Sequence, residues 1–313
     1  MQVVRSNDHL KHFPKGELSG GRFVRPFECP ERWQHIMDRL AARGFKEYAD
    51  PAALDMKSVR QIHDEGFLEF LETAWDRWIA EGYEGEVLAT CFPARRMQVR
   101  KPEHIAQTAQ RIVSGGARSA FALCRPPGHH AAKDMYGGYC FLNNAAIAAQ
   151  MFLNDGAKRV AILDPDFHHG NGTQDIFFDR DDVLFASLHG APEHAFPHFL
   201  GYEDEKGAGR GEGFTVNYAM PPNTGYDEWG SAMDDALKRI AAYSPDALVV
   251  SLGVDTFERD PISFFKLKSD DFTDYGSRIA KLKLPTLICM EGGYAVEEIG
   301  INTVNVLEGF ENG

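Results

Sequence analysis

The residues most suited to metal chemistry lie in the segment DPDFHHGNGTQ, residues 164–174. Asp166 and His168 are separated by one residue directly after an apolar run, and alternate residues of an extended chain point to the same side. Asp255, which follows another apolar run, could supply a third ligand. Two carboxylates and one imidazole leave a position open for water and substrate, as catalytic zinc requires. The spacing therefore predicts one catalytic zinc ion held by these three residues.

Groups suited to proton transfer follow two other apolar runs. The adjacent histidines His129 and His130 come after the turn sequence RPPG, and Tyr294 comes after two glycines. Histidine titrates near neutral pH, so the pair could supply a general base and a general acid. The glycines would let a flexible turn bring the Tyr294 phenol to the metal.

Helical and strand-like patterns alternate along the chain and predict the elements that carry these residues. Short, almost uniformly apolar runs predict strands at residues 120–124, 159–163, 183–187, 247–252 and 286–290. Amphipathic patterns predict helices at residues 31–43, 65–81, 143–154, 227–243 and 271–282. Apolar strands separated by helices are typical of a parallel sheet covered on both faces. No repeat or linker divides the chain, which predicts a single doubly wound α/β domain over residues 1–313.

Nearly every predicted strand ends in residues capable of chemistry. In open parallel sheets, ligands bind beyond the carboxyl ends of the strands. The residues that follow the five predicted strands are His129 and His130, the 164–168 segment, His189, Asp255, and Glu291 to Tyr294. The pattern therefore predicts an active site along one rim of the sheet.

Composition excludes several classes of protein. The chain has 313 residues with 33 Lys and Arg against 46 Asp and Glu, a net charge of −13. This balance argues against a nucleic-acid binder and is compatible with a cationic substrate. No apolar stretch is long enough to cross a membrane, and residues 1–6 show no apolar signal region, so we expect a cytoplasmic protein. The five cysteines form no CxxC pair, which favours reduced thiols.

Taken together, these segments resemble the histone deacetylase and acetylpolyamine amidohydrolase family, which has the arginase–deacetylase fold. The matching stretches occur in family order and are RPPGHHA (125–131), GGYCFLNN (137–144), residues 164–174, GVD (253–255) with DP (260–261), and EGGY (291–294). The segments GEL (16–18), PFE (26–28) and ETAWDRW (72–78) resemble the bacterial acetylpolyamine enzymes in particular. The resemblance implies three α/β/α layers around a mainly parallel sheet.

The resemblance also implies a role for each catalytic residue. Asp166, His168 and Asp255 match the zinc ligands. His130 matches the general base and acid, with His129 as its electrostatic partner. The residues that orient the two histidines match Asp164 and Asn171. Tyr294 matches the residue that polarises the substrate carbonyl.

Substrate and cation sites are implied in the same way. Tyr139 and Phe196 match the aromatic walls of a narrow acyl tunnel, and Gly138 lies beside them in the motif. Glu17 matches a loop at the cleft mouth, where a carboxylate can pair with a distal ammonium group of the substrate. A structural K⁺ or Na⁺ site is implied at Asp164, Asp166, His168, Ser187 and Leu188.

Two departures from the family pattern affect these expectations. Pro165 stands where the family usually has an aliphatic residue, and it removes one strand N–H group. Residues 96–113 replace a long insertion that builds a dimer in the acetylpolyamine enzymes. The shortened segment leaves a homodimer open and favours a wider cleft with broad specificity.

The expected activity is zinc-dependent hydrolysis of acetylated polyamines or diamines to acetate and a free amine. A protein acetyl-lysine deacetylase is the main alternative, because it shares all of this chemistry. A ureohydrolase with two manganese ions would need a second carboxylate near Asp255, which Asp255-Thr256-Phe257 does not offer. A non-catalytic acyl-binding protein would be expected to lack the tyrosine or a histidine.

Overall fold

A parallel eight-stranded sheet forms the centre of the structure. The structure is a computed structural model, and it describes residues 1–51, 56–86 and 119–313. The strands are β1 (Gln2–Val4), β2 (Glu17–Ser19), β3 (Arg22–Val24), β4 (Tyr48–Ala49), β5 (Ser119–Ala122), β6 (Val160–Asp164), β7 (Val183–Gly190), β8 (Thr215–Met220), β9 (Ala247–Leu252) and β10 (Thr286–Met290). The strands β2 and β3 form a separate antiparallel hairpin. The others lie in the order β4-β1-β5-β10-β9-β6-β7-β8, and each neighbouring pair is parallel.

Helices cover both faces of the sheet. They are α1 (Pro30–Ala42), α2 (Met56–Ile62), α3 (Glu65–Ala80), α4 (Asn144–Asn154), α5 (Asn171–Phe177), α6 (Tyr226–Tyr243), α7 (Ser269–Ala280) and α8 (Ile299–Asn312). One apolar core joins the sheet to α1, α6, α7 and α8, and a second joins it to α2, α3, α4 and α5. Along β7, Leu184 lies in the first core and Phe185 in the second. The predicted three-layer fold with a mainly parallel sheet is confirmed.

Local sequence signals set the ends of several helices. The Asp64 carboxylate accepts the N–H groups of Gly66 (2.8 Å) and Phe67 and begins α3. The side-chain oxygen of Asn143 accepts the N–H of Ala146 at 2.9 Å and begins α4. Such caps satisfy amide groups that have no partner inside the helix. Asn143 thereby fixes the end of the loop that carries the GGYC motif.

All five predicted strands and all five predicted helices are present, with ends that differ by at most three residues. The sequence patterns missed β1, β2, β3, β4, β8, α2, α5 and α8. The strands β1 and β4 have three and two residues, too few for a periodic signal. The edge strand β8 mixes polar and apolar residues, and three of its six residues are only partly buried. Buried Asn302 and Thr303 interrupt the apolar pattern of α8.

Other expectations have simple outcomes. Among the described residues, the helices are all too short or too polar to cross a lipid bilayer. Four of the five cysteines lie in the described ranges, and all four are buried and free of disulfide bonds. Residues 96–113, on which the expectation about the dimer rests, lie outside the described residues.

Candidate active site

The candidate catalytic residues meet at the carboxyl ends of four neighbouring strands. β5, β10, β9 and β6 are adjacent in the sheet, although they are far apart in sequence. The residues at or just beyond their carboxyl ends are the histidine pair, Tyr294, Asp255 and the segment beginning with Asp164. Pro165 comes directly after the last paired residue of β6, so it costs the sheet no hydrogen bond.

Asp166, His168 and Asp255 form a compact buried cluster. Their ligand atoms all lie within 4.8 Å of one another. Backbone amides hold both carboxylates. Asp166 accepts the N–H of Gly292 at Oδ2 and that of His168 at Oδ1, and Asp255 Oδ1 accepts the N–H of Phe167, all at 2.8 Å. Asp255 Oδ2 then lies 2.9 Å from His168 Nδ1. Two carboxylates and one imidazole fixed in this way fit a single metal ion of the zinc type.

Close packing of the backbone keeps this cluster tight. A Cβ atom at Gly253 would lie 1.9 Å from Asp166 Oδ2, and one at Gly292 would lie 2.4 Å from Asp255 Oδ2. Both positions therefore require glycine. The two glycines let the backbone approach the ligand carboxylates from the loops that follow β9 and β10.

The cluster strongly favours a positive charge. Burial alone would lower the pKa of His168, but hydrogen bonds to Asp166 and Asp255 outweigh burial and raise the pKa to about 10. Burial would raise the pKa of Asp166, but the charge of His129 and the contact with His168 hold it well below its usual range. The same negative potential that retains a proton here would attract a divalent cation.

The two adjacent histidines have opposite electrostatic environments. His129 Nδ1 lies 3.1 Å from Asp164 Oδ2, and although burial lowers its pKa, the charges of Asp166 and Asp164 raise it well above the ordinary value. His130 Nδ1 lies 2.7 Å from Asn171 Oδ1. Burial and the charges of His129 and His168 hold the pKa of His130 well below its ordinary value. A neutral His130 that donates Nδ1–H to Asn171 keeps Nε2 as its basic nitrogen.

Tyr294 is a buried phenol next to this group. The Arg32 guanidinium lies over the Tyr294 ring, 4.9 Å from the ring centre. The centres of the Tyr139 and Tyr294 rings are 5.8 Å apart. Burial raises the pKa of Tyr294 well above its ordinary range, although the charge of Arg32 opposes this. The phenol therefore keeps its proton and can donate a hydrogen bond.

The residues expected to form the tunnel lie next to His130 and Tyr294. The Phe196 ring, 43% exposed, meets the His130 ring edge-on at 5.0 Å. Tyr139 donates its hydroxyl hydrogen to Glu17 Oε1 at 3.2 Å, so the structure brings the hairpin residue Glu17 next to Tyr139. Gly138 has φ +54°, and a Cβ there would lie 2.3 Å from His130 Cδ2. The structure thus places Phe196 and Gly138 against His130, and Glu17 against Tyr139.

The residues of the expected monovalent-cation site also lie together. Asp164 and Ser187 are direct partners in the β6–β7 register. Asp164 Oδ1 accepts the N–H of Asp166 at 3.3 Å, and Ser187 Oγ lies 2.9 Å from His189 Nδ1. Ser187 and Leu188 are fully buried. Asp164 joins this group to the metal cluster through the N–H of Asp166.

Comparison with known proteins identifies the family. The model of the histone deacetylase domain matches residues 26–310, nearly the whole chain. The chain belongs to the histone deacetylase family. Deacetylase-family membership and the arginase–deacetylase fold, both expected from the sequence motifs, are thereby confirmed.

Several relatives in the deacetylase family match over their full length. The chain is 52% identical to the acetylpolyamine amidohydrolase of Mycoplana ramosa over 338 aligned positions that cover 99% of each protein. It is 51% identical to acetylpolyamine amidohydrolase 1 of Pseudomonas aeruginosa, again with 99% of each covered. The crystal structure of acetylpolyamine aminohydrolase from Burkholderia pseudomallei superimposes with a TM-score of 0.90 at 37% identity, covering 99% of this chain and 98% of that one. The alignment has 338 positions, whereas this chain has 313 residues. The Mycoplana protein therefore contains residues that have no counterpart in this chain.

The structure adds supporting residues to this deacetylase-family site that the sequence analysis did not assign. Glu291 Oε2 accepts the N–H groups of Gly128 (2.6 Å) and His129 (3.1 Å) and so fixes the histidine turn. Arg32 donates Nε to the Gly293 carbonyl at 2.7 Å and is paired with Glu28 at 2.9 Å. Glu28 lies just before α1 and Arg32 lies in its first turn, and both side chains are buried. The four-residue spacing of two opposite charges was the available signal.

Proposed function

We propose that the chain is a zinc-dependent deacetylase that hydrolyses acetylated polyamines and diamines to acetate and a free amine. The observation that carries this proposal is the three-ligand cluster of Asp166, His168 and Asp255 beside a neutral His130 and a protonated Tyr294. The full-length relatives named acetylpolyamine amidohydrolase support the substrate class.

The three cluster residues would hold the metal. A nitrogen and two carboxylate oxygens form a donor set that suits zinc and leaves coordination positions for water and substrate. When bound, zinc would polarise the amide carbonyl and increase the acidity of water. The backbone hydrogen bonds to both carboxylates fix the ligands before the metal arrives.

His130 acts as the general base and then as the general acid. Because the pKa of His130 is held low, its Nε2 accepts a proton from the attacking water near neutral pH. Asn171 holds the opposite nitrogen and keeps this tautomer. After the attack, the imidazolium of His130 donates the proton to the leaving amine nitrogen.

Two further residues stabilise the charge that develops on the carbonyl oxygen. The Tyr294 hydroxyl donates a hydrogen bond to that oxygen, where charge is greatest in the transition state. His129, kept protonated by the Asp164 and Asp166 carboxylates, contributes a positive charge next to His130. Burial of the site strengthens both effects, because water does not screen them.

The cleft mouth selects a cationic acyl-amine. Tyr139 and Phe196 enclose the methylene chain, and Gly138 lets the loop backbone approach His130. Glu17 is held by the Tyr139 hydroxyl and, through Oε2, by the N–H of Phe27 at 3.3 Å. A carboxylate oriented in this way pairs with the distal ammonium group of the substrate. The net charge of −13 would favour the approach of polycations.

Three further features belong to the proposal. A structural K⁺ or Na⁺ would bind at Asp164 and Ser187 with the main chain of Asp166, His168 and Leu188, which the β6–β7 pairing brings together. The chain forms one catalytic domain, residues 1–313. A homodimer and a cytoplasmic location stay predictions of the sequence analysis.

The decisive experiment compares the turnover of acetylputrescine, acetylspermidine and an acetyl-lysine peptide by the metal-loaded protein. We expect both acetylpolyamines to be good substrates, and Glu17→Gln to raise KM for them by roughly 2- to 10-fold while sparing neutral acetamides. Glu212→Gln is the control, because this exposed residue precedes β8 at the opposite edge of the sheet. Much faster turnover of the peptide than of every acetylpolyamine would instead establish a protein deacetylase.

A further inference from the structure

Asp260 is a buried carboxylate that the proposed reaction does not use. It belongs to the DP motif between β9 and α7, and only 7% of its surface is exposed. Its Oδ2 accepts the backbone N–H groups of Tyr294 at 2.6 Å and Ala295 at 3.1 Å. Its Oδ1 accepts the N–H of Ile262 at 3.1 Å. Both oxygens of Asp260 are therefore bonded to backbone amides, and two of these amides are those of Tyr294 and the residue after it.

One peptide group before Tyr294 is held from both ends. Arg32 Nε donates to the carbonyl oxygen of Gly293 at 2.7 Å, and Asp260 accepts the N–H of Tyr294 in the same peptide group. Gly293 has φ +133°, and because glycine has no Cβ, the backbone itself restricts the orientation of this group only weakly. The two contacts fix the peptide plane and with it the direction in which the Tyr294 side chain leaves the backbone.

We propose that Asp260 is a positioning residue that aligns the Tyr294 hydroxyl for the reaction by holding the Gly293–Tyr294 peptide group. This inference rests on the proposed function, in which that hydroxyl stabilises charge on the substrate oxygen. Hydrogen bonds from amides to a carboxylate are stronger than those to a neutral oxygen. A displacement of the phenol by about 1 Å would be enough to lower the rate roughly 100-fold.

The first test separates the rate of the chemical step from substrate binding. In Asp260→Asn the amide oxygen can still accept both N–H groups, but it is a weaker acceptor than a carboxylate oxygen, and the NH₂ group faces the N–H of Ile262. We expect kcat to fall roughly 10- to 100-fold, KM to change less than about twofold, and the metal content to stay the same. Asp246→Asn is a matched control, because one oxygen of Asp246 also accepts two successive amides, those of Lys158 (2.7 Å) and Arg159 (3.1 Å), away from the site.

A double-mutant cycle with Tyr294→Phe then decides whether Asp260 acts through the tyrosine hydroxyl. Once the hydroxyl is absent, Asp260→Asn should lower kcat less than about twofold further. Independent, multiplying losses would overturn the positioning role, and so would a normal kcat in Asp260→Asn alone. If Tyr294→Phe itself keeps the full rate, the proposed function fails rather than the cycle. Asp260→Ser, which keeps one accepting oxygen, serves in the same cycle if Asp260→Asn does not fold.

Discussion

Acidification should destabilise the protein through His63, a buried histidine that contacts both ends of the loop of residues 132–143, which carries Tyr139. His63 is 1% exposed, its Nδ1 lies 3.0 Å from the Ala132 carbonyl oxygen, and its Nε2 accepts the N–H of Asn143 at 3.0 Å. This pairing requires a neutral ring with the proton on Nδ1, because a protonated Nε2 could not accept. Protonation would therefore break the contact with Asn143 and leave a buried charge.

The size of the effect follows from the pKa difference between the folded and unfolded states. Burial lowers the pKa of His63 to about 4, from 6.5 for an unperturbed histidine. Between these two values the unfolded chain binds a proton that the folded chain does not, so the free energy of unfolding falls as the pH falls. The loss is about 2 kcal/mol at pH 5 and approaches roughly 3 kcal/mol below pH 4. At pH 8 it is absent.

The assay is urea denaturation at pH 8, 7, 6 and 5 with constant metal content. The glutamine in His63→Gln offers one donor and one acceptor but does not titrate. Between pH 8 and pH 5, the free energy of unfolding of this variant should therefore fall by about 2 kcal/mol less than that of the wild-type protein. Other groups titrate equally in both proteins and cancel in the difference. His194→Gln, a change at an exposed histidine, should follow wild type. Parallel curves for wild type and His63→Gln would refute the reasoning.

Three substitutions test the site directly. Asp166→Ala should abolish metal binding and hydrolysis together, because it removes a ligand from a three-residue cluster; elemental analysis that still finds one tightly bound metal would contradict this. Tyr294→Phe should lower kcat by roughly 10²- to 10³-fold with the metal retained, as expected for one oxyanion donor. Gly138→Ala should lower kcat at least about 10-fold, because its methyl group would displace the His130 ring and a left-handed φ disfavours alanine. Gly137→Ala, with open space at its Cβ position, should keep normal activity; equal activity of the two alanine variants would disprove the steric argument.

The sequence by itself determined the sheet and most of the catalytic set. Runs that are apolar on both sides can be stable only when both faces are covered, so β6, β7 and β9 could be recognised as central strands. The predicted bounds of β9 and β10 agree with the structure. Asp166 and His168 could be paired because the two-residue period of an extended chain places them on one side. These inferences depend on short-range regularities, which a sequence displays directly.

The tertiary structure alone decided which distant residues meet and how they are held. Asp255 joins Asp166 and His168 because β9 lies beside β6, an order that depends on how the helical connections pack. Asp260 and His63 act on backbone amides and carbonyls, which every residue possesses, so no sequence pattern marks their partners. The direction of each histidine pKa likewise depends on burial and on charges from other strands. Such relations arise only when the folded chain brings these groups together.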